Sequence, residues 1–300
     1  MIELDRVPEL TDPVLIAAFE GWNDAADSAT AAITHLADTW HAEPIAAVEP
    51  DDYYDYQVNR PQVRIEEPDT DGDEKADSEA PDGEPVRRLI WPTTRFLLAR
   101  PPAAPRDIVL VRGIEPNMRW RPFCAEVLGL ANELGVDMML TLGALLADNP
   151  HTRPIPVSAT SADPELRAAM ALQASRYEGP SGIIGVLGDS AESADLPTIS
   201  LWAAVPHYVA QPPCPKATLG LLRRVEDLLD LTIPMGDLPE EAQAWERGVD
   251  DLAEDDSEVS DYVRSLEEAR DAADLPEASG EAIAAEFERY LRRRPPQPPE

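Results

Sequence analysis

The sequence predicts an α/β chain: a three-layer α/β/α domain on a mostly parallel sheet, followed by a small all-helical domain. Three observations predict it. Short, largely apolar runs at 14–19, 107–111 and 136–142 read as strands buried on both faces, the pattern of a parallel sheet between two helical layers. Between such runs apolar residues recur at helical spacing, so strands and helices alternate along the chain. Past residue 234 the strand pattern stops, and acid-rich amphipathic stripes follow at 240–254, 257–273 and 279–294.

The first unit, 14–28, reads as strand, turn and helix. Gly21 supplies a turn conformation closed to other residues, and Asn23 or Asp24 can accept hydrogen bonds from free amides of the helix that follows. Residues 25–40 form that helix, with Ala29, Ala32, Ile33, Leu36 and Trp40 on one stripe. A strand at 44–48 follows, and the carboxylates and tyrosines of 49–56 form a loop. Its rings either present a surface or cover an edge of the core. Segments 63–65 and 86–91 read as a hairpin whose long acidic insertion, 66–85, lacks large apolar residues and is expected to be disordered.

Residues 94–99 extend the antiparallel flank, and 107–111 resumes the buried pattern with Arg112 and Glu115 at its carboxyl end. A helix at 121–134 is stopped by Gly135, and a strand at 136–142 leads into a polar exit carrying Asp148, Asn149, His151 and Arg153. Residues 155–160 form a strand. Asp163-Pro-Glu165 starts a helix predicted to reach Tyr177. The apolar run 183–187, bracketed by Gly182 and Gly188, is read as a strand, as is 198–207. The prolines of 212–215 impose an extended connection before a helix marked by Leu219, Leu222, Val225 and Leu229. The expected domain limits are 1–234 for the α/β part, 235–294 for the helical part and 295–300 for a disordered tail.

With 300 residues, 43% of them hydrophobic, the chain can bury a large core. Its net charge of −33 argues against nonspecific binding to nucleic acid or to an anionic membrane surface. Cys124 and Cys214 form neither a CxxC motif nor a disulfide framework. The N-terminus lacks the order of a signal peptide, and no apolar run approaches the roughly 20 residues of a membrane span, so a soluble cytoplasmic protein is expected.

The sequence contains no phosphate-binding glycine loop, nucleophile elbow or zinc-binding His-Glu-x-x-His. The four histidines, His35, His41, His151 and His207, form no ligand cluster, and no metal or cofactor is expected. His151 and His207 fall near strand exits, where a histidine can serve as a base or simply hold backbone. Glu20, Asp24, Glu115 and Asp148 could converge as paired carboxylates. Each of two also has a structural reading, Asp24 as a helix cap and Glu115 as an anchor for Arg112. No residue is assigned as catalytic. The candidate pocket or interface comprises Glu20, Gly21, Trp22, Asn23, Asp24, Arg112, Glu115, Asn149, His151, Arg153 and His207, because open α/β sheets bind partners at strand carboxyl ends.

Several motifs in one order resemble the PAC2 family, relatives of proteasome assembly chaperone 2, and its actinobacterial branch in particular. They are Phe19-Glu-Gly-Trp-Asn-Asp-Ala25, Tyr53-Tyr-Asp-Tyr56, Arg112-Gly-Ile-Glu-Pro116, the stretch from Thr141 to Pro154, Tyr177-Glu-Gly-Pro180 and Ser200-Leu-Trp-Ala-Ala-Val-Pro-His-Tyr208. The resemblance implies a phosphorylase/hydrolase-like fold, a C-terminal helical domain and a homo-oligomer, a trimer among the forms allowed. It implies no established catalytic residue. For chaperone members it implies binding to proteasome subunits, sometimes through a hydrophobic-Tyr-x tail that this chain's Pro298-Pro-Glu300 end lacks. The function expected is a non-catalytic assembly or scaffold protein. The alternative is a nucleoside- or peptide-directed hydrolase or binder using a pocket at the strand ends.

Overall fold

A computed structural model describes residues 8–66, 85–102 and 104–274. In chain order the strands are β1 (Val14–Glu20), β2 (Glu43–Ala47), β3 (Gln62–Glu66), β4 (Val86–Ile90), β5 (Arg95–Ala99), β6 (Ile108–Ile114), β7 (Met138–Ala147), β8 (Val157–Thr160) and β9 (Thr198–Pro206). The helices are α1 (Ser28–Thr39), α2 (Trp120–Glu133), α3 (Pro164–Met170), α4 (Ile183–Ser193), α5 (Pro215–Leu229), α6 (Leu238–Glu254) and α7 (Ser257–Asp274).

The strand β1 lies inside a seven-stranded sheet of order β2-β5-β6-β1-β7-β9-β8. β6, β1, β7 and β9 are parallel, so their carboxyl ends share one rim. The flanking strands β2, β5 and β8 pair antiparallel. The sheet is therefore parallel at its centre and antiparallel at its edges. The pleat sends alternate residues of β1 to opposite sides. Val14, Ile16 and Ala18 join Ile33 and Leu36 of α1 and Leu221, Leu222 and Val225 of α5 in one buried layer. Leu15, Ala17 and Phe19 join Phe123, Val127 and Leu130 of α2 and Ile183, Ile184 and Leu187 of α4 in the other. Both faces of β1 are thus covered by helices, which is why its sequence is apolar without alternation.

Three elements differ from expectation. Residues 183–187 open a helix, α4, instead of a strand. Its buried residues Ile183, Ile184, Leu187 and Ala191 have helical spacing that a five-residue window truncates. The helix predicted to reach Tyr177 stops at Met170, where Ala171 turns left-handed at φ 52°. β7 runs on to Ala147 because Gly143 does not end it. At Gly143 the Trp202 ring lies so close that an added Cβ would sit 2.7 Å from it, so this glycine marks a close approach within the strand.

β3 and β4 pair as the expected hairpin, separate from the main sheet. Tyr53 and Tyr54 of the tyrosine-rich loop are buried against the α2 layer, the edge-covering reading of that loop. α6 continues the first layer through Leu238 and Ala242, and α7 packs on α6. Residues 67–84 of the acidic insertion, the helix expected at 279–294 and the tail lie outside the described residues. Among the described residues no helix is long and apolar enough to cross a membrane.

Candidate functional site

The exit of β1 turns at Gly21, whose φ of 115° favours glycine. Asn23 and Asp24 are then buried. Asp24 Oδ1 accepts the Ala29 amide at 2.6 Å, and Oδ2 accepts the Thr30 amide at 3.2 Å together with the Thr30 hydroxyl. Asp24 therefore satisfies the start of α1, as a cap does. Burial raises its carboxyl above the ordinary range against these hydrogen bonds. Burial also raises Glu20, with the nearby Arg112 charge opposing it.

Glu115, just past β6, joins three segments. Its Oε1 accepts Asn23 Nδ2 at 2.7 Å and the Ile183 amide at 2.8 Å. A carboxylate at the first residue of α4 also meets the positive end of that helix dipole. Gly182 sits against Asn23 so tightly that an added Cβ would lie 2.1 Å from Asn23 Oδ1. Arg112 is not held by Glu115; its guanidinium crosses to α1 and donates to Thr34 Oγ1 at 2.6 Å. The structure thus brings Glu20, Gly21, Asn23, Asp24, Arg112 and Glu115 together, with Trp22 projecting at 63% exposure.

Asn149, His151, Arg153 and His207 belong to a second cluster. β7 runs beyond its last pairing with β1, at Thr141, to Ala147, which carries the following loop outward along β9. There His151 is buried. Its amide donates to Tyr208 Oη at 2.7 Å, and Nδ1 lies 2.8 Å from the same oxygen. The phenol, accepting from the amide, can donate to Nδ1, which places the neutral ring's proton on Nε2, 2.9 Å from Asp250 Oδ1 of α6. Arg153 binds Asp271 of α7 through two contacts, Nε at 2.9 Å and an amino nitrogen at 2.8 Å, and reaches Glu267 at 3.2 Å.

Hydrogen bonding from Arg153 holds the Asp271 carboxyl below its usual range. Asp148 faces His207 Nδ1 at 3.3 Å and accepts from Tyr262 at 3.2 Å. Asn149 is buried, its amide donating to the Ala147 carbonyl. α6 and α7 therefore hold this tip of the sheet. Among the described residues no hydrogen bond or ion pair joins the two clusters.

Sequence reasoning missed Ile183, Gly182, Tyr208, Asp250 and Asp271. A wider helical window over 183–191 would have placed the first two. Asp250 and Asp271 carry no local signal, lying 99 and 118 residues from their partners.

The model of the PAC2 family matches residues 18–253. The chain belongs to the PAC2 family. It is similar to the crystal structure of a PAC2 family protein from Streptomyces avermitilis, with 54% identity and a TM-score of 0.75, over 84% of this chain and 100% of that one. It is similar to a proteasome-assembly chaperone homologue from Mycobacterium tuberculosis, with 49% identity and a TM-score of 0.71, over 83% of this chain and 99% of that one. An archaeal proteasome activator from Pyrococcus furiosus shares the fold at 18% identity and a TM-score of 0.63, over 84% of this chain and 98% of that one. No curated protein matches the chain.

In this PAC2 family chain Asp24, Glu115 and Arg112 of the β1–β6 rim are hydrogen-bonded to their own scaffold, and Asn23 Oδ1 is buried without a hydrogen bond. Burial pushes the Cys124 and Cys214 thiols up to about 11, so neither is a thiolate at neutral pH. Among the described residues no group of three or more His, Cys, Asp or Glu is placed to hold a metal.

Proposed function

We propose that this PAC2 family protein works by binding other protein chains, as a chaperone-like factor in proteasome assembly, and without catalysis. One observation carries the reading. Large apolar side chains stand exposed at the strand-exit rim: Trp22 at 63%, Met118 at 43%, Leu145 at 44%, Leu146 at 48% and Tyr177 at 66%. Exposed apolar surface rimmed by polar groups marks protein-binding faces. Beneath it Asp24 serves as a cap and Glu115 as a tie. The similarity to the Mycobacterium tuberculosis proteasome-assembly chaperone homologue supports the choice of partner.

The same rim is proposed to serve self-association into a homo-oligomer. Affinity purification of the tagged chain at low salt from a proteasome-containing actinobacterium is expected to enrich proteasome subunits. Trp22→Glu with Leu146→Glu should abolish that enrichment while the far-UV spectrum stays unchanged. Absence of proteasome subunits from the wild-type eluate would refute the assignment of partner. Light scattering on the same two proteins reports self-association separately.

A further inference from the structure

On the α1–α5 side of the sheet, next to the β7–β8 loop that carries His151, α5 and α6 leave a groove of about 640 Å³. Thr152, Ile155 and Val157 line it as well. Its size falls within the roughly 300–1,000 Å³ of small-ligand sites. Along α5 it is lined by Lys216, Arg223, Arg224 and Asp227, and along α6 by Gln243 and Glu246. Lys216 is already committed, donating to the His151 carbonyl and to Glu246, so one cation and one anion of the groove cancel.

Arg223 and Arg224 differ. Neither makes a hydrogen bond or ion pair with a described residue, and Arg224 Nε is buried with no acceptor. A buried donor left without an acceptor is destabilising, the more so on a charged group. Two guanidinium groups beside one carboxylate, Asp227, leave this wall of a ligand-sized groove net positive in a chain of net charge −33, a local reversal of sign. Guanidinium is planar, stays charged and offers paired donors that match the two oxygens of a carboxylate or phosphate.

We propose that the α5–α6 groove is a binding site for a small oxyanion ligand, a phosphate ester or a polycarboxylate, held by Arg224 and Arg223. Such a ligand supplies the acceptor that Arg224 Nε lacks and bridges α5 to α6. It adds a small-molecule site to a protein whose proposed action is binding other chains, and it uses neither the exposed rim nor its carboxylates.

Calorimetric titration of the full chain at low salt with pyrophosphate and, separately, with citrate tests it. Saturable binding of either probe is expected, pyrophosphate indicating the phosphate class and citrate the carboxylate class. Arg224→Gln should weaken that binding by about ten- to hundredfold, the range of one charge-assisted hydrogen bond. Arg223→Gln should weaken it as well. Arg224→Lys, which keeps the charge without Nε, serves if the glutamine variant fails to fold. Arg100→Gln, outside the groove, should bind as the wild type does. The proposal is overturned if neither probe binds at concentrations up to about 10 mM, or if the groove variants bind as tightly as the wild type.

Discussion

One oxygen of Glu115 accepts from both Asn23 and the Ile183 amide, so the turn after β1 and the start of α4 share a single fastening. Gly182 makes that approach possible. Gly182→Ala places a methyl 2.1 Å from Asn23 Oδ1, and such overpacking should cost about 1–3 kcal/mol in chemical denaturation. Asn23→Ala in the same chain should recover part of the loss; a purely additive pair would show that the two residues do not collide. Asp24 makes a separate prediction through pH. Because burial raises its folded carboxyl, ionisation is constant in both states above that raised value. As the pH falls from there toward the ordinary value of about 3.9, the folded state takes the proton first and gains stability. The melting temperature of the wild type relative to Asp24→Asn should therefore rise across that window as acid is added. A constant difference between the two curves would refute it.

At the scale of elements, Arg153 and its two carboxylates are one of the ties that fasten α7 to the sheet tip, beside Thr152 to Glu267 and Tyr262 to Asp148. Here the sign reverses. Asp271 is held low in the folded chain, so its contribution is complete above the ordinary carboxyl range and is lost as the pH falls through the depressed value. Arg153→Ala should speed amide exchange across 257–274, with the difference from wild type shrinking in acid and in high salt. Unchanged exchange would mean that α7 is held without Arg153, by its packing on α6 and its remaining hydrogen bonds. The elements also show what the sequence could and could not tell. β1 and β6 were legible because strands covered on both faces lose their polar positions. α4 was misread because its first five residues are apolar enough to satisfy either period, and only Ala191 separates them.

For the whole molecule, the α/β/α architecture and the parallel centre followed from the order of strand and helix, and the antiparallel flank was legible at 94–99, whereas the antiparallel pairings of β2 and β8 were not, since pairing partners leave no local mark. The candidate site divides in the same way. Glu20, Asn23, Asp24, Arg112 and Glu115 could be grouped from sequence because they follow adjacent parallel strands. His151 and Arg153 could not be separated from them, because the extension of β7 beyond Gly143 depends on its pairing with β9.

The ties from the sheet tip to α6 and α7 also set an order in time. Arg153 precedes Asp271 by 118 residues, which synthesis at 5–20 residues per second spans in roughly 6 to 24 s. The strands of the central sheet are complete by residue 206, so the sheet can close before its cover is made. During that interval His151 waits for Asp250 and Arg153 for both of its carboxylates. A chain truncated before residue 238 lacks both α6 and α7, and with them the carboxylates that His151 and Arg153 meet in the finished protein.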